Sequence, residues 1–185
     1  MPTVPYPMSS PEDLDETVNL VEKTGRRIVA ERGDVRDFER LKAAVANGVA
    51  ELGRLDFILA NAGILPLVGQ QAQDISAFDD GIDVMLNGVY YTIEAALPAL
   101  LEHGDGGAIV ITSSVAGLSG MHAKFSQRNH GGFGYIAAKH GVIGLMRALA
   151  VELGQHSIRV NAVCPTNVNT PMFMNEGTMR LFRPD

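Results

Sequence analysis

The amino-acid sequence predicts an α/β fold in which helices cover a parallel β-sheet. Short apolar runs typical of buried strands recur along the chain, and segments with apolar residues at helical spacing alternate with them. The runs are apolar on both of their faces, as in parallel strands that are covered by helices. The sequence contains no internal repeat, low-complexity tract or linker. We therefore expect residues 1–185 to form a single domain.

The first half of the chain begins with an irregular, proline-rich segment. Ser10 supplies a hydroxyl for a helix N-cap, Pro11 suits a first helical turn, and Gly25 ends the first helical pattern. A short β-like run follows at 28–30, and a second helical pattern covers 37–52. This half of the chain is therefore predicted to have the order helix, strand, helix.

The second half repeats the alternation. Strands are predicted at 55–60, 108–112 and 158–163, and mostly helical segments at 78–101 and 133–154. Connections between parallel strands are right-handed, and ligands collect at the carboxyl ends of such strands. The residues that follow each strand are therefore the first candidates for a functional site.

Composition and charge exclude several classes of protein. Of the 185 residues, 46% are hydrophobic and 19% are charged, which is typical of a globular chain. A net charge of −6 argues against a nucleic-acid or anionic-membrane surface, and no long apolar run or secretory signal is visible. The single cysteine, Cys164, fits a reducing compartment. We expect a cytoplasmic protein that binds neither nucleic acid nor membranes.

Polar residues suited to chemistry stand just past the predicted strands or on the helix that follows. Asn61-Ala62-Gly63 and Ser114 follow two of the strands, and Tyr135 and Lys139 lie four positions apart on one helix face. Taken singly, these residues are better explained as a plain turn, a helix cap or loop, and an exposed helix face. Asn87 alone is explained as a satisfied buried amide. The five histidines show no ligand spacing, so no metal site is predicted.

Taken together and in this order, the residues resemble the short-chain dehydrogenase/reductase family over nearly the whole chain. The matching pieces are Asp34-Val35, Asn61-Ala62-Gly63-Ile64, Asn87, Ser114, Tyr135, Lys139 and a proline turn that ends at Thr170. The segments VPYPMSSPEDL, AAKHGVIGLMRALAVELG and NAVCPTNVNTPM are further similar to the carveol-dehydrogenase-like, mycofactocin-coupled members. The resemblance implies a Rossmann-type, doubly wound parallel sheet, here lacking its first two strands and its C-terminal segment.

The resemblance implies an oxidoreductase that interconverts a secondary alcohol and a ketone with a nicotinamide cofactor. Tyr135 would be the acid/base and Lys139 would lower its pKa, since a phenol titrates at about 10 and a neighbouring ammonium favours the phenolate. Ser114 would hydrogen-bond the substrate oxygen, and Asn87 would support a water that links Lys139 to solvent. Hydride passes directly to the nicotinamide, so no metal is required.

The resemblance also implies a cofactor site along the strand ends. Its residues would be Asp34, Val35, Asn61, Ala62, Gly63, Tyr135, Lys139, Pro165, Val168 and Thr170. Asp34 would meet the adenine amino group, the turn after Asn61 the adenosine ribose, and Thr170 the carboxamide. NAD is expected from the subgroup resemblance, with NADP not excluded.

Two features depart from the family pattern. In the turn after the last predicted strand, Thr166 follows Pro165, whereas the family commonly has glycine after this proline. Threonine is β-branched, so it restricts the backbone of that turn. The segment between Ser114 and Tyr135 is longer than in many relatives, and its extra residues fall within 118–132. This extra loop is either a tolerated surface loop, or a lid over the substrate or a contact to a redox partner.

The family's opening strand, glycine-rich turn and second strand have no counterpart in this sequence. No glycine precedes Gly25, so no phosphate-binding turn is expected there. We expect a chain truncated at both ends that binds dinucleotide weakly by itself. Either it comes from a dehydrogenase lineage, or it is an inactive remnant that acts as an interaction partner of intact relatives. In both cases the resemblance implies a homo-oligomer, tetrameric in the family, and the subgroup implies an external redox partner.

Overall fold

A three-stranded parallel sheet lies at the centre of the computed structural model, which describes residues 1–121 and 127–182. Its strands are β1 (Phe57–Ala60), β2 (Gly107–Thr112) and β3 (Ile158–Val163), in the spatial order β1-β2-β3. The parallel sheet and the three strands of the second half are therefore confirmed. Part of the extra loop lies outside the described residues.

Six α-helices accompany the strands in the described part of the chain. They are α1 (Pro11–Lys23), α2 (Phe38–Leu52), α3 (Ile75–Ile82), α4 (Gly88–Glu102), α5 (His130–Leu153) and α6 (Glu176–Phe182). A π turn over Asp83–Asn87 joins α3 to α4 into one nearly continuous helix. The helix predicted at 78–101 thus begins earlier and contains a local change of winding that the sequence pattern does not indicate.

The start of α1 follows from its local sequence. The Ser10 side chain accepts a hydrogen bond from the backbone N–H of Asp13, and the Asp13 carboxylate accepts one from the backbone N–H of Ser10. This reciprocal pair satisfies two N–H groups that the helix itself cannot pair. Gly25 follows the helix with a φ of 75°, in the left-handed region that glycine adopts readily.

The strand predicted at 28–30 is wrong. Residues 26–34 carry no regular secondary structure. A strand needs a neighbour for its backbone N–H and C=O groups. Within the described residues, β1 pairs only with β2, and no strand lies beside its other edge to receive the 28–30 run.

The core lies between one face of the sheet and the helices. Ile58 of β1, Ile109 of β2 and Val160 of β3 are buried in a cluster that includes residues of α4 and α5. On the opposite face of β1, Phe57 and Leu59 are 65% and 70% exposed. The buried face fixes how α5 crosses the sheet, and α5 carries two of the predicted site residues.

The helix from α3 through α4 is long and apolar enough to cross a membrane by length and composition. In this structure its residues Ile93 and Leu100 are fully buried in the core that the sheet forms with α5. An apolar composition of this kind is typical of a helix that packs in the interior of a globular fold.

Candidate active site

The carboxyl ends of the three strands are tied together by short hydrogen bonds. The Thr112 hydroxyl at the end of β2 donates to the Asn61 side-chain oxygen at 2.8 Å. The backbone N–H of Ser113 donates to the carbonyl of Val163 at 2.9 Å. These bonds bring the turns that follow β1, β2 and β3 to one edge of the sheet, where the sequence analysis expects a site.

Lys139 of α5 reaches this edge with a buried side chain. The residue is only 4% exposed, and its Nζ donates to the backbone carbonyl of Thr112 at 2.8 Å. The Ser113 hydroxyl donates to the Lys139 carbonyl at 2.8 Å and fixes the helix against the strand end. A Cβ placed on Gly63 would lie 3.7 Å from Nζ, so the turn after β1 borders the same amine.

Burial lowers the pKa of Lys139 to about 8, because the charged ammonium loses its hydration. The nearby Cys164 opposes the shift, since a thiolate there would favour the ammonium. At neutral pH the amine is still mostly protonated. It can therefore stabilise a negative charge at this strand end.

Tyr135 lies one helical turn before Lys139 and faces the same edge. The Lys139 Nζ is 5.8 Å from the centroid of the Tyr135 ring. Burial raises the pKa of Tyr135, and its interaction with the Ser114 hydroxyl opposes that rise. The lowering of this pKa that was expected from Lys139 is not seen, because the loss of hydration outweighs it in this structure. Ser114 is itself buried at the end of β2, where its hydroxyl accepts from the backbone N–H of Ala116 at 3.1 Å. The structure thus brings Ser114, Tyr135 and Lys139 together.

Asn87 occupies the last position of the π turn, which packs against α5. Its side-chain amide donates to the Asp83 carboxylate at 3.0 Å. Its described hydrogen bond is therefore not to Lys139 or Tyr135. π turns often mark functional positions in helices. The hydrogen bond to Asp83 gives this polar amide a partner in an otherwise apolar helix.

Asp34 and Val35 lie near this helix but in different environments. The exposed Asp34 carboxylate pairs with Arg36 at 2.6 Å, and this pairing lowers the pKa of Asp34. Val35 packs against Gly88, where an added Cβ would lie 2.6 Å from a Val35 methyl group. The Arg36 backbone N–H and guanidinium make four hydrogen-bond contacts to the two Asp34 oxygens, so a ligand amino group would have to compete with Arg36 for this carboxylate.

The remaining predicted cofactor residues lie beside the strand ends, and most of them are exposed. Asn61, Ala62, Val168 and Thr170 are exposed, whereas Gly63 and Pro165 are partly buried. The Thr170 backbone N–H donates to the Val168 carbonyl at 2.8 Å, which closes the turn after β3. Among residues 1–121 and 127–182, Ser157 is the one non-glycine residue with a positive φ. Thr166 therefore fits its turn without left-handed strain.

Sequence reasoning missed the extreme N-terminus, which was predicted as an irregular lead-in. Residues Thr3–Tyr6, here called the N-terminal strap, place Thr3, Val4 and Tyr6 in the interior. The backbone N–H of Leu65 donates to the Tyr6 hydroxyl at 2.7 Å. Val4 and Tyr6 share a buried cluster with residues against which Tyr135 packs. The sequence did offer one sign of this burial, since Val4 and Tyr6 are apolar residues between prolines. The run is too short to show the periodicity from which a buried segment is predicted.

No group of three or more His, Cys, Asp and Glu side chains could hold a metal ion in the part of the chain that the structure describes. One of the five histidines, His122, lies outside that part.

The stability of the fold is expected to rise with pH between about 8 and 10.5, because the pKa of Lys139 falls from 10.5 to about 8 on folding. In this window the unfolded chain binds more protons than the folded chain, so the free energy of unfolding increases, by about 3 kcal/mol in total. Below pH 8 the buried ammonium is fully penalised. Denaturant unfolding of the wild type and of Lys139→Met across this range measures the effect. A pH-independent difference between the two proteins would contradict the assignment.

Comparisons with known proteins agree with this geometry. A family model described as short chain dehydrogenase matches residues 5–181. A putative short-chain type dehydrogenase/reductase of Mycolicibacterium smegmatis is 58% identical over 97% of this chain and 62% of that protein. The (−)-trans-carveol dehydrogenase of Rhodococcus erythropolis is 47% identical over the same shares of the two chains.

The fold agrees as well. The crystal structure of carveol dehydrogenase from Mycobacterium avium in complex with NAD superposes with a TM-score of 0.89 at 53% identity, over 100% of this chain and 64% of that one. The chain thus spans less than two thirds of the length of these relatives. The Rossmann-type α/β fold and the carveol-dehydrogenase-like resemblance are confirmed: the chain belongs to the short-chain dehydrogenase/reductase family.

Proposed function

We propose that this chain carries the catalytic residues of an NAD-dependent oxidoreductase that interconverts a secondary alcohol and a ketone. The observation that carries the proposal is the buried Lys139 amine 5.8 Å from the Tyr135 ring, with Ser114 interacting with the same phenol. This arrangement stands at the carboxyl ends of parallel strands, where such folds bind ligands. The NAD complex of the Mycobacterium avium relative supports the choice of cofactor, with NADP as the alternative.

In alcohol oxidation, Tyr135 accepts the hydroxyl proton of the substrate. Burial disfavours its phenolate, so the neighbouring Lys139 ammonium is needed to stabilise that charge. Ser114 donates a hydrogen bond to the substrate oxygen, and this bond strengthens as negative charge develops on the oxygen. NAD, when bound, supplies the nicotinamide carbon that takes the hydride.

The residues at this edge fit the nucleoside part of a dinucleotide. Hydrogen-bonding groups are offered at this edge by the exposed Thr170 and Asn61 side chains and, from below the surface, by the Lys139 amine. Ala62 and Val168 are exposed at the same edge. Asp34 and Val35 would hold the adenine, with Gly63 and Pro165 shaping the two turns. Asn87 would orient a water that relays the proton from Lys139 to solvent.

We further propose a soluble, cytoplasmic homo-oligomer that acts on small alcohols or ketones. Exposed apolar side chains on two helices, Tyr90 of α4 and Val151 of α5, support an oligomer contact. A tetramer and an external redox partner follow from the family resemblance alone.

A second candidate function, a non-catalytic partner of intact relatives, is favoured by the exposed Phe57 and Leu59 on the open face of β1.

Turnover of a cyclic secondary alcohol tests the first proposal. We expect steady NADH formation, followed by absorbance, when the purified, monodisperse chain is mixed with carveol and a large excess of NAD, because the chain by itself is expected to bind dinucleotide weakly. No NADH with carveol or with a panel of other secondary alcohols would contradict it. Co-elution of the inactive chain with the Mycolicibacterium smegmatis relative would then support the second candidate.

A further inference from the structure

The N-terminal strap is buried beside the predicted acid/base. Tyr6 is 8% exposed and lies in a cluster that also contains Met85 and Ala138, while Pro7 and the residues after it return to the surface. Tyr135 packs against the same cluster. The strap therefore contributes a second tyrosine to the surroundings of Tyr135.

Two polar contacts hold the strap in place. The Thr3 hydroxyl donates to the Asp80 carboxylate of α3 at 2.5 Å. The Tyr6 oxygen accepts from the backbone N–H of Leu65 at 2.7 Å, in the segment that follows the turn after β1. The Tyr6 hydroxyl proton remains available, because within residues 1–121 and 127–182 it has no acceptor at hydrogen-bond distance. A buried donor without an acceptor is unfavourable, so a ligand acceptor would improve this site.

The charge state of Tyr6 suits a donor. Burial raises its pKa, the hydrogen bond from Leu65 opposes the rise, and negative charge on Tyr135 raises the pKa further. Tyr6 consequently stays protonated when Tyr135 ionises. One phenol of the pair can act as a base while the other keeps its O–H.

The reacting oxygen of the substrate has no lone pair left to accept a hydrogen bond from the Tyr6 hydroxyl. A ketone oxygen has two lone pairs, and the proposed reaction uses them for Ser114 and Tyr135. A donor from the cluster against which Tyr135 packs therefore needs a different acceptor on the ligand.

We propose that Tyr6 is a specificity-determining residue, and that its hydroxyl donates a hydrogen bond to a second oxygen on the alcohol or ketone bound beside Tyr135. This inference rests on the proposed function of the site. It names the substrate class more closely: secondary alcohols or ketones that carry a further ether, hydroxyl or carbonyl acceptor across the ring or chain.

The test compares two alcohols of the same size. trans-4-Methoxycyclohexanol carries a second oxygen where trans-4-ethylcyclohexanol has a methylene group. Binding of each to the wild-type chain and to Tyr6→Phe is measured by ligand-observed NMR titration, with Tyr90→Phe as the matched control because Tyr90 is exposed on α4. We expect the methoxy alcohol to bind the wild type about threefold to tenfold more tightly, the range of one net hydrogen bond. The preference should vanish in Tyr6→Phe and persist in Tyr90→Phe.

A second measurement avoids any dependence on how Tyr6→Phe folds. In the wild-type chain labelled at the tyrosine Cζ carbons, the Tyr6 resonance should shift with the methoxy alcohol and not with the ethyl alcohol. An equal affinity of the two alcohols for the wild type, or binding of neither, overturns the inference. So does a preference that survives in Tyr6→Phe.

Binding and turnover separate this inference from the proposed function. A methoxy preference without NADH formation keeps the role of Tyr6 and removes the dehydrogenase activity. NADH formation without the methoxy preference keeps the dehydrogenase activity and removes the role of Tyr6.

Discussion

Replacing Tyr135 with phenylalanine is expected to lower the turnover of a secondary alcohol by about 10²–10⁴-fold, the contribution of a positioned general acid or base. Phenylalanine keeps the ring that packs beneath the Lys139 amine, 5.8 Å from the ring centroid, and removes the hydroxyl alone. The proton of the alcohol then has no acceptor near Ser114. NADH affinity, followed by the fluorescence of the bound cofactor, should change little, because the ring and Lys139 remain.

The pH dependence of the rate distinguishes this loss from a structural one. Burial raises the pKa of Tyr135, so its phenolate is scarce at neutral pH and alcohol oxidation should accelerate as the pH rises. The Lys139 ammonium is lost as the pH passes about 8, and this loss flattens the acceleration. The residual rate of Tyr135→Phe should lack the acceleration. Tyr91→Phe, on the neighbouring helix α4, serves as the control. Full activity in Tyr135→Phe would refute the acid/base assignment.

Local sequence patterns predict those elements whose stability is decided within the element and its immediate neighbours. β3 begins and ends at the predicted residues, Ile158 and Val163, since its backbone pairs with β2 along its whole length. The run at 28–30 is also short and β-like in composition. It does not form a strand, because no strand lies beside it in the described structure. Strand propensity alone therefore does not predict a strand, because pairing is a property of two segments.

The grouping at the candidate site follows from topology for some residues only. Strand ends of a parallel sheet meet at one edge, and a spacing of four on a helix aligns Tyr135 with Lys139. The π turn that holds Asn87 depends on how α3 and the turn itself pack against α5, which no local pattern encodes. Tyr6 lies 59 positions from Leu65 along the chain, and a single hydrogen bond at that separation leaves no spacing in the sequence.

Close approach of α5 to its neighbours makes Gly131 the position with the largest expected effect on stability. A Cβ at Gly131 would overlap the carbonyl oxygen of Pro66, lie 2.7 Å from its carbonyl carbon and reach the Ala77 side chain at 3.3 Å. Pro66 is fully buried, so backbone rather than a flexible side chain must move. We expect Gly131→Ala to lower the free energy of unfolding by about 3 kcal/mol, as in overpacked cores.

The same substitution should also impair turnover, since Gly131 lies one helical turn before Tyr135 and on the same face of α5. Gly144→Ala is the matched control: it lies on the exposed side of the same helix, and an added Cβ there meets no atom within 4 Å. It should stabilise the chain by about 1 kcal/mol through helix propensity, with turnover unchanged. Denaturant unfolding of both variants measures the contrast. Equal stability of the two would mean that α5 does not approach Pro66 as closely as described, and the position of Tyr135 at the strand ends would lose its structural basis.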